Sequence, residues 1–449
     1  MSGRQVNVTP IPRHAYPQFS ILPCPPLLLS WCFRIAMLSI ETNMATAQDQ
    51  GQEEPSATAA GPAASLGSAP KQNNTDGLGS GGYTDKPWFL RFWDGMIATG
   101  WFPLLVRNRF HVSPRRWAMG LLMTFVSIMN FGLWLLQMLF WGRRIARTQL
   151  QGDPIFVIGH WRSGTTLLHE LLVLDERHTC SNTYDCFCPN HFLLTAPFFR
   201  PILSGLLPKQ RPMDNMPAGW DCPQEDEFAL CNMGMRSPYL TIAFPNHPPQ
   251  NQEFFELADI SPRQRARWQR GMLWFLKCLT VRTPRRIVLK SPPHTFRIKL
   301  LLEMFPKARF LHIIRNPLVI FPSTINLWKR LYRNDGLQVP TYEGLDEHVF
   351  QTFTRMYEVF QRDRNSIPAG QFCEVRYEDL VAQPIQQMQR VYDELNLGGF
   401  EKVLPQMETY FAKKADYKTN RYQLPPELAA EIKRRWASFF QRYGYSEDA

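Results

Sequence analysis

The stretch Pro154–Asp175, PIFVIGHWRSGTTLLHELLVLD, decides the fold class of this chain. It opens with a short apolar run, Ile155–Ile158, which is typical of a buried parallel strand. Gly159 ends this run, and the apolar residues that follow Gly164 recur at helical spacing. A strand, a turn of small residues and a helix together point backbone N–H groups and a positive helix end at an anion. The stretch therefore predicts a loop that binds an anionic ligand.

The spacing of Gly159 and Gly164 is that of the phosphate-binding P-loop, in which a Lys follows the second glycine. Here Thr165 and Thr166 stand at that point, and the cation lies inside the loop, as Arg162. A nucleoside triphosphate needs the Lys and a Mg²⁺ site to neutralise its charged tail. The loop therefore favours an anion whose charges are arranged differently from those of a nucleoside triphosphate. The alternative is an ordinary strand-to-helix turn whose glycines and serine serve only its tightness.

The loop GHWRSGTT resembles the 5′-phosphosulfate loop of the sulfotransferases that use 3′-phosphoadenosine 5′-phosphosulfate (PAPS). The second signature of that family is a strand followed by Arg and, eight residues later, Ser. It is present in RFLHIIRNPLVIFPS, with Arg315 and Ser323. The resemblance covers Pro154 to the C-terminus. The chain closely resembles the group that includes the bacterial sulfotransferases and, more distantly, the tyrosylprotein sulfotransferases.

This resemblance implies a set of residues that bind PAPS. Arg162 and the N–H groups that follow it are expected to take the charge of the 5′ end, and Arg315 and Ser323 are expected to hold the 3′-phosphate. Tyr377, in VRYEDL, resembles the family tyrosine on the adenine side. The complete set of expected PAPS-binding residues is Arg162, Ser163, Gly164, Thr165, Thr166, Arg315, Ser323 and Tyr377.

Three further residues are candidates for the chemistry. Lys290, in LKSPPHT, matches by resemblance a strand-end lysine that stabilises the transition state; the alternative is a surface lysine that caps a strand. A general base should take the proton of the acceptor. By resemblance, Asp185, in TYDC, lies about as far past Arg162 as the catalytic glutamate of the tyrosylprotein sulfotransferases lies past the matching arginine. Glu225 competes with it, because the acids of QEDEF could raise one another's pKa.

Strand and helix patterns alternate from residue 151 to the end of the chain. This alternation predicts an α/β fold, a P-loop-like parallel sheet flanked by helices, as one sulfotransferase domain spanning 151–449. Ligands of such sheets bind at the carboxyl ends of the strands, where Arg162, Lys290, Arg315 and Tyr377 fall. A long insertion, 176–282, precedes the second predicted strand and is expected to build the acceptor pocket.

The N-terminal third of the chain has two predicted parts. Residues 1–84 read as a disordered leader, because they contain too few large apolar groups to offset the entropy of ordering. Residues 85–150 read as a hydrophobic, interfacial helical region and a candidate membrane anchor. Within it, Trp117–Gly142 carries no charged residue and is long enough to span a bilayer. A membrane-embedded or monotopic helix and a buried packing helix both fit this pattern.

The net charge of +11 suits anionic ligands or a membrane surface. The sequence contains no nucleic-acid-binding module, and its 9 cysteines show no zinc-ligand spacing. The protein is expected to be a PAPS-dependent sulfotransferase that needs no metal. Its acceptor is expected to be a hydroxyl or amine, and lipid, glycan and small alcohol all remain open as acceptor classes. The enzyme is expected to be associated with a membrane. The alternatives are a cytoplasmic location, a P-loop kinase, and an inactive, membrane-anchored nucleotide-binding protein.

Overall fold

A computed structural model describes residues 91–203, 219–413 and 424–445, and all of these residues belong to one compact unit. The predicted leader lies outside the described residues. So does 417–422, which the resemblance to the sulfotransferases implies as a loop closing over the nucleotide.

The centre of the fold is a sheet of five parallel strands, as the sequence predicts. Their order across the sheet is β2-β3-β1-β4-β5, so the strand that precedes the glycine loop lies in the middle. The strands are β1 Ile155–Ile158, β2 His178–Cys180, β3 Arg286–Lys290, β4 Arg309–Ile314 and β5 Phe372–Arg376.

Both faces of the sheet are covered, which explains why β1 is apolar at every position. Ile155 and Val157 face one apolar core, whereas Phe156 and Ile158 face the other. All four side chains are fully buried. A strand buried on both faces cannot alternate apolar and polar residues, and this is the pattern of a parallel sheet between two helical layers. The predicted α/β class is confirmed.

Fifteen α-helices lie within the described ranges. The first seven are α1 Ala98–Arg107, α2 Trp117–Arg147, α3 Thr165–Val173, α4 Thr183–Phe187, α5 Phe192–Leu203, α6 Asp226–Asn232 and α7 Pro262–Arg282. The others are α8 Ile298–Met304, α9 Pro317–Asp335, α10 Leu345–Asp363, α11 Tyr377–Ala382, α12 Pro384–Glu394, α13 Phe400–Lys413, α14 Pro426–Arg435 and α15 Ala437–Tyr443.

Two details of the sequence prediction are wrong. The insertion contains a strand, β2, which pairs in parallel with β3 at the sheet edge. The last strand, which the sequence pattern predicts over 372–377, ends at Arg376, and Tyr377 begins α11. The strand β2 has only three residues, too few to show a periodicity.

The predicted N-terminal hydrophobic helix is present as α2, and it lies along the rest of the domain. Polar side chains hold its inner side at several points along its length. Asn130 donates a hydrogen bond to the main-chain oxygen of Asp94 at 2.9 Å and pairs with His191 at 3.1 Å. Gln137 accepts one from the N–H of Leu193 at 2.9 Å. Asn130 and Gln137, two of the polar residues within the apolar run, therefore attach the helix to the domain.

Candidate active site

The loop after β1 has a backbone that requires its glycines. Gly159 and Gly164 have φ angles of 146° and 108°, in the left-handed region, and Arg162 has a φ of 69°. A Cβ on Gly164 would lie 2.4 Å from Cδ2 of Tyr377, and one on Gly159 would lie 2.6 Å from the carbonyl oxygen of Ile313. The loop is thus packed closely between the ends of neighbouring strands.

The structure brings the two signature segments of the sequence into contact. The Nε of Arg162 donates a hydrogen bond to Oγ of Ser323 at 2.8 Å. The guanidinium of Arg315 donates to the main-chain oxygen of Arg162 at 3.1 Å and lies 4.0 Å from the ring centroid of Tyr377. With Gly164 against the same tyrosine ring, five of the predicted nucleotide-binding residues form one cluster.

The sheet order explains this cluster. Strand β4 lies between β1 and β5, so the residues that follow the three strands meet at one edge. Arg315 directly follows β4, and Tyr377 directly follows β5. The remaining predicted residues lie in the loop and at the start of α3: Ser163 and Thr165 are buried, and Thr166 is half-buried. Backbone N–H groups at this helix start are suitable partners for an anion.

Lys290 forms an ion pair with Glu225 at the same edge of the sheet. It is the last residue of β3, in register with Val157 of β1, and only 3% of its side chain is exposed. Its Nζ lies 2.7 Å from Oε1 of Glu225, which immediately precedes α6. The structure therefore joins Lys290 with one of the two predicted base candidates.

Two residues that the sequence analysis did not select connect this pair to the glycine loop. The hydroxyl of Tyr239 donates to Oε2 of Glu225 at 2.6 Å, and Nε1 of Trp161 donates to that hydroxyl at 2.8 Å. A chain of hydrogen bonds thus runs from Trp161, inside the loop, through Tyr239 and Glu225 to Lys290. No motif marks Tyr239, which lies in a short 3₁₀ turn, Pro238–Ala243.

Tyr239 is held as a hydrogen-bond donor by its surroundings. Burial first, and then the charge of Glu225, raise the pKa of the Tyr239 hydroxyl well above its usual value. The hydroxyl therefore stays protonated across the physiological range. Its proton is directed at the Glu225 carboxylate, whose other oxygen meets Lys290.

The two acids that follow Glu225 have structural partners. Asp226 pairs with His294 at 2.7 Å and accepts a hydrogen bond from Ser291 at 2.9 Å. Glu227 pairs with Arg297 at 2.5 Å, with both side chains fully buried. Burial alone would raise the pKa of Asp226, but the charge and hydrogen bonds of these partners outweigh burial and lower it. The expectation that neighbouring acids raise one another's pKa is wrong for Asp226.

The other base candidate, Asp185, has a different set of partners. Its Oδ2 accepts a hydrogen bond from the N–H of Asn182, and its N–H donates to Asn182 Oδ1, which closes the N-terminus of α4. The same carboxylate forms an ion pair with Arg282 at the end of α7. Its side chain is only 2% exposed. Through these contacts Asp185 caps α4 and holds it against α7.

The histidines near the site are also bonded within the fold. Burial lowers the pKa of His160 to about 3, although its hydrogen bond with the Trp161 carbonyl opposes this. His294 and His312 pair with Asp226 and Glu374. Among the described residues, no group of three or more His, Cys, Asp or Glu side chains is arranged to hold a metal ion.

Comparison with known proteins agrees with this geometry. The model of the sulfotransferase family matches residues 154–402. Two relatives, each named omega-hydroxy-beta-dihydromenaquinone-9 sulfotransferase Stf3, come from Mycobacterium bovis (strain ATCC BAA-935 / AF2122/97) and Mycobacterium tuberculosis (strain CDC 1551 / Oshkosh). Each is 47% identical over 360 residues, which are 80% of this chain and 92% of the relative.

Solved structures share the fold. Sulfotransferase STF9 from Mycobacterium avium has a TM-score of 0.54 at 19% identity, covering 78% of this chain and 96% of its own. Sulfotransferase STF1 from Mycobacterium tuberculosis H37Rv has a TM-score of 0.50 at 18% identity, covering 77% and 94%. The family match over more than half of the chain, together with the relatives at 47% identity, shows that this chain belongs to the sulfotransferase family.

Proposed function

We propose that this sulfotransferase transfers the sulfuryl group of PAPS to a hydroxyl group of a lipid-linked acceptor. One observation carries the proposal. The glycine loop, the Arg315–Tyr377 contact and the Lys290–Glu225 pair all lie at the carboxyl edge of one parallel sheet. This edge is where an α/β sheet binds its ligand.

The nucleotide would lie across the cluster around Arg162. In this proposal the N–H groups of Gly164, Thr165 and Thr166 and the Arg162 guanidinium bind the 5′ end. The N–H of Ser163, which the sequence predicts to belong to this set, instead donates to the His160 carbonyl at 3.2 Å. Arg315 and Ser323 bind the 3′-phosphate, and Tyr377 contacts the adenine side. The positive-φ backbone of the loop supports this fit, because its glycines let the loop pack against Tyr377 and Ile313 and so fix the start of α3 at the ligand edge. Thr165 in place of the P-loop Lys argues against a nucleoside triphosphate.

The reaction breaks one bond and forms another at sulfur. The acceptor oxygen attacks the sulfur of PAPS, and the bond between sulfur and the bridging phosphate oxygen breaks. That oxygen keeps the electron pair, so 3′-phosphoadenosine 5′-phosphate (PAP) leaves with an added negative charge. The proton of the acceptor hydroxyl passes to a base. The cations and N–H groups around the 5′ end stabilise the charge that develops on the leaving phosphate.

We assign the base role to Glu225 and the stabilising role to Lys290. Glu225 lies beside the lysine at the ligand edge, whereas Asp185 is engaged with Asn182 and Arg282. Tyr239 is a positioning residue in this proposal: its hydroxyl fixes one oxygen of Glu225 and so leaves the orientation of the carboxylate defined. A positioned base contributes roughly 10²–10⁴-fold to a proton-transfer step.

The acceptor class comes from the relatives. They are named for an omega-hydroxylated menaquinone derivative, which presents a hydroxyl on a lipid. An acceptor of that class is dissolved in a membrane, so membrane association of the enzyme is part of the proposal. The apolar helix α2 supports it by length and composition.

Labelled PAPS tests this function. The purified full-length protein is incubated with ³⁵S-PAPS and an omega-hydroxylated prenyl quinone in detergent, with the non-hydroxylated quinone as the control acceptor. Glu225→Gln should lower turnover by roughly 10²-fold or more. Asp185→Asn is the matched control and should keep turnover in the folded fraction. Loss of turnover in Asp185→Asn alone, or transfer of phosphate from ATP instead of sulfuryl from PAPS, would contradict the proposal.

A further inference from the structure

Exposed large apolar side chains are concentrated on one side of the described structure. Ten lie on α2, three on α1 and the turn after it, two on α5 and one on α7; in the rest of the described ranges only Val339 and Val381 are exposed. The helices α1, α5 and α7 each pack against α2, so these side chains form one surface. We call this surface the apolar face. Its members are Phe102, Val106, Phe110, Trp117, Leu121, Leu122, Phe125, Ile128, Met129, Leu135, Leu136, Leu139, Phe140, Phe198, Ile202 and Leu273.

The apolar face is too large to be an ordinary solvent surface. The helix α2 has 31 residues, which is about 46 Å at 1.5 Å per residue. Leu121 and Leu139, near its two ends, are 72% and 75% exposed, so exposure extends along the helix. A soluble monomer rarely exposes a contiguous apolar patch larger than a few hundred Å², and larger patches mark interaction sites.

The inner side of α2 determines how this helix can meet a membrane. Asn130 and Gln137 are fixed to the domain near its middle, and Lys277 of α7 donates a hydrogen bond to the Ala146 carbonyl near its end, at 2.9 Å. A helix attached along its length cannot cross a bilayer alone. It would carry α7, with five arginines in addition to Lys277, into the hydrocarbon region, where charged side chains are costly.

The four helices that carry the apolar face contain basic residues and no acidic ones, although the exposed Asp221 pairs with Arg200 of α5. From Gly95 to Gly152 the sequence has no Asp or Glu and has seven arginines. Arg115 precedes α2, and Arg143, Arg144 and Arg147 lie in its last turns; all four are exposed. The Arg144 guanidinium lies 5.2 Å from the Trp141 ring centroid. Basic residues beside an apolar helix are attracted to the anionic lipids of a membrane surface.

We propose that the apolar face docks on an anionic lipid bilayer, with α2 lying in the plane of the membrane instead of spanning it. The large apolar side chains enter the acyl boundary, and the arginines at the two ends of α2 contact lipid phosphates. This docking mode deepens the membrane association in the proposed function. The exposed apolar side chains and the arginines that support it do not depend on which acceptor the enzyme uses. A lipid-dissolved acceptor would then reach the enzyme without leaving the bilayer.

Vesicle sedimentation of the full-length protein tests the surface. One set of vesicles contains phosphatidylcholine with phosphatidylglycerol, and the other contains phosphatidylcholine alone. We expect binding to the mixed vesicles, weaker binding to the neutral ones, and partial release by salt. Leu121→Glu and Leu139→Glu should each lower partitioning by about tenfold or more, because each removes one buried leucine from the acyl boundary. Val381→Glu, also at an exposed apolar position, is the matched control and should bind like wild type.

Other outcomes would overturn the inference. Absence of binding to the mixed vesicles would exclude the apolar face as a membrane-docking surface. Binding that is unchanged by both leucine substitutions would exclude it as well. Dimers that dissociate on Leu139→Glu, together with no vesicle binding, would identify a second copy of the chain as the occupant. Resistance to extraction by alkaline carbonate would indicate a spanning helix. Sulfuryl transfer to a short, soluble hydroxylated acceptor should be unchanged in Leu139→Glu, which separates failure of this surface from failure of the proposed function.

Discussion

The guanidinium of Arg315 donates a hydrogen bond to the main-chain oxygen of Arg162 at 3.1 Å, across 153 residues of sequence. Arg162 in turn donates to Ser323, eight residues beyond Arg315. The two signature segments are therefore bonded to each other in both directions. In the proposed complex, the 5′ and 3′ phosphates of one nucleotide would therefore bind side chains that are hydrogen-bonded to each other, Arg162, Arg315 and Ser323.

The first prediction concerns the 3′-phosphate. Arg315→Ala should weaken PAP binding by roughly 10- to 100-fold, because a hydrogen bond to a charged group is worth about 1.5–3 kcal/mol. The measurement is isothermal titration calorimetry with PAP. Arg265→Ala, which removes an exposed ion pair with Glu303, is the control and should leave the affinity unchanged. Equal affinities in wild type and Arg315→Ala would remove this residue from the nucleotide site.

The second prediction concerns the packing of the loop. Gly164→Ala should abolish PAP binding, because its Cβ would lie 2.4 Å from the Tyr377 ring. Gly152→Ala is a matched control: Gly152 has a φ of 92°, but a Cβ added there would meet no atom within 4 Å. It bears only the left-handed strain, about 1–2 kcal/mol, and should keep PAP binding. Similar PAP affinities for the two variants would show that the contact with Tyr377 is unimportant.

The third prediction concerns the hydroxyl of Tyr239. Tyr239→Phe should lower kcat by about tenfold and leave PAP affinity unchanged, because the hydroxyl bonds Glu225 directly and meets the nucleotide loop only through the Trp161 side chain. Steady-state kinetics and PAP titration separate the two effects. Tyr392→Phe removes a similar buried contact, from Tyr392 to Asp175 at 3.0 Å, on another part of the fold. It should lower the melting temperature without changing kcat, and an equal fall in kcat would refute a specific role for Tyr239.

Much of the fold and part of the site could be predicted from local sequence. The run Ile155–Ile158 and the glycine spacing identify the central strand and the loop, since both depend on short-range constraints. The strand ends likewise place Lys290 and Arg315 at one edge, because parallel strands share their direction.

Long-range pairing could not be predicted in this way. The sequence shows three adjacent acids but not that Glu225, Asp226 and Glu227 have different partners, since those partners are 65 to 70 residues away. Tyr239 belongs to no motif, and only the fold shows that its hydroxyl joins Glu225 to Trp161 of the loop, 78 residues away. Hydropathy identified α2, but only the packing shows which side of it is attached to the domain.

The fourth prediction concerns the pH dependence of stability. Burial raises the pKa of Asp335 from 3.8 to about 7, although a hydrogen bond from the Phe92 N–H opposes the shift. The folded state therefore binds the proton more tightly than the unfolded state does. The stability that the protonated Asp335 carboxyl contributes to the folded state is fully present below about pH 4 and is lost as the pH rises to about 7. The advantage of Asp335→Asn over wild type should thus grow from about pH 4 to about pH 7 and persist at higher pH, where it amounts to a few kcal/mol.

Chemical denaturation at several pH values measures this effect. Asp363→Asn is a control of opposite sign, because ion pairs with Arg362 and Lys299 outweigh burial and lower the pKa of Asp363. Its stabilising contribution is present at neutral pH and is lost on acidification. An Asp335→Asn variant with the same pH profile as wild type would contradict the raised pKa.

The most direct test of the central claim is calorimetric titration of the full-length protein with PAP and, separately, with ATP and Mg²⁺. If Arg162 and Arg315 bind the two ends of one adenosine 3′,5′-bisphosphate, PAP should bind at least tenfold more tightly than ATP–Mg²⁺. Arg162→Ala and Arg315→Ala should each weaken PAP binding by about tenfold or more. Tighter binding of ATP–Mg²⁺, or PAP binding that is indifferent to both arginines, would contradict the assignment.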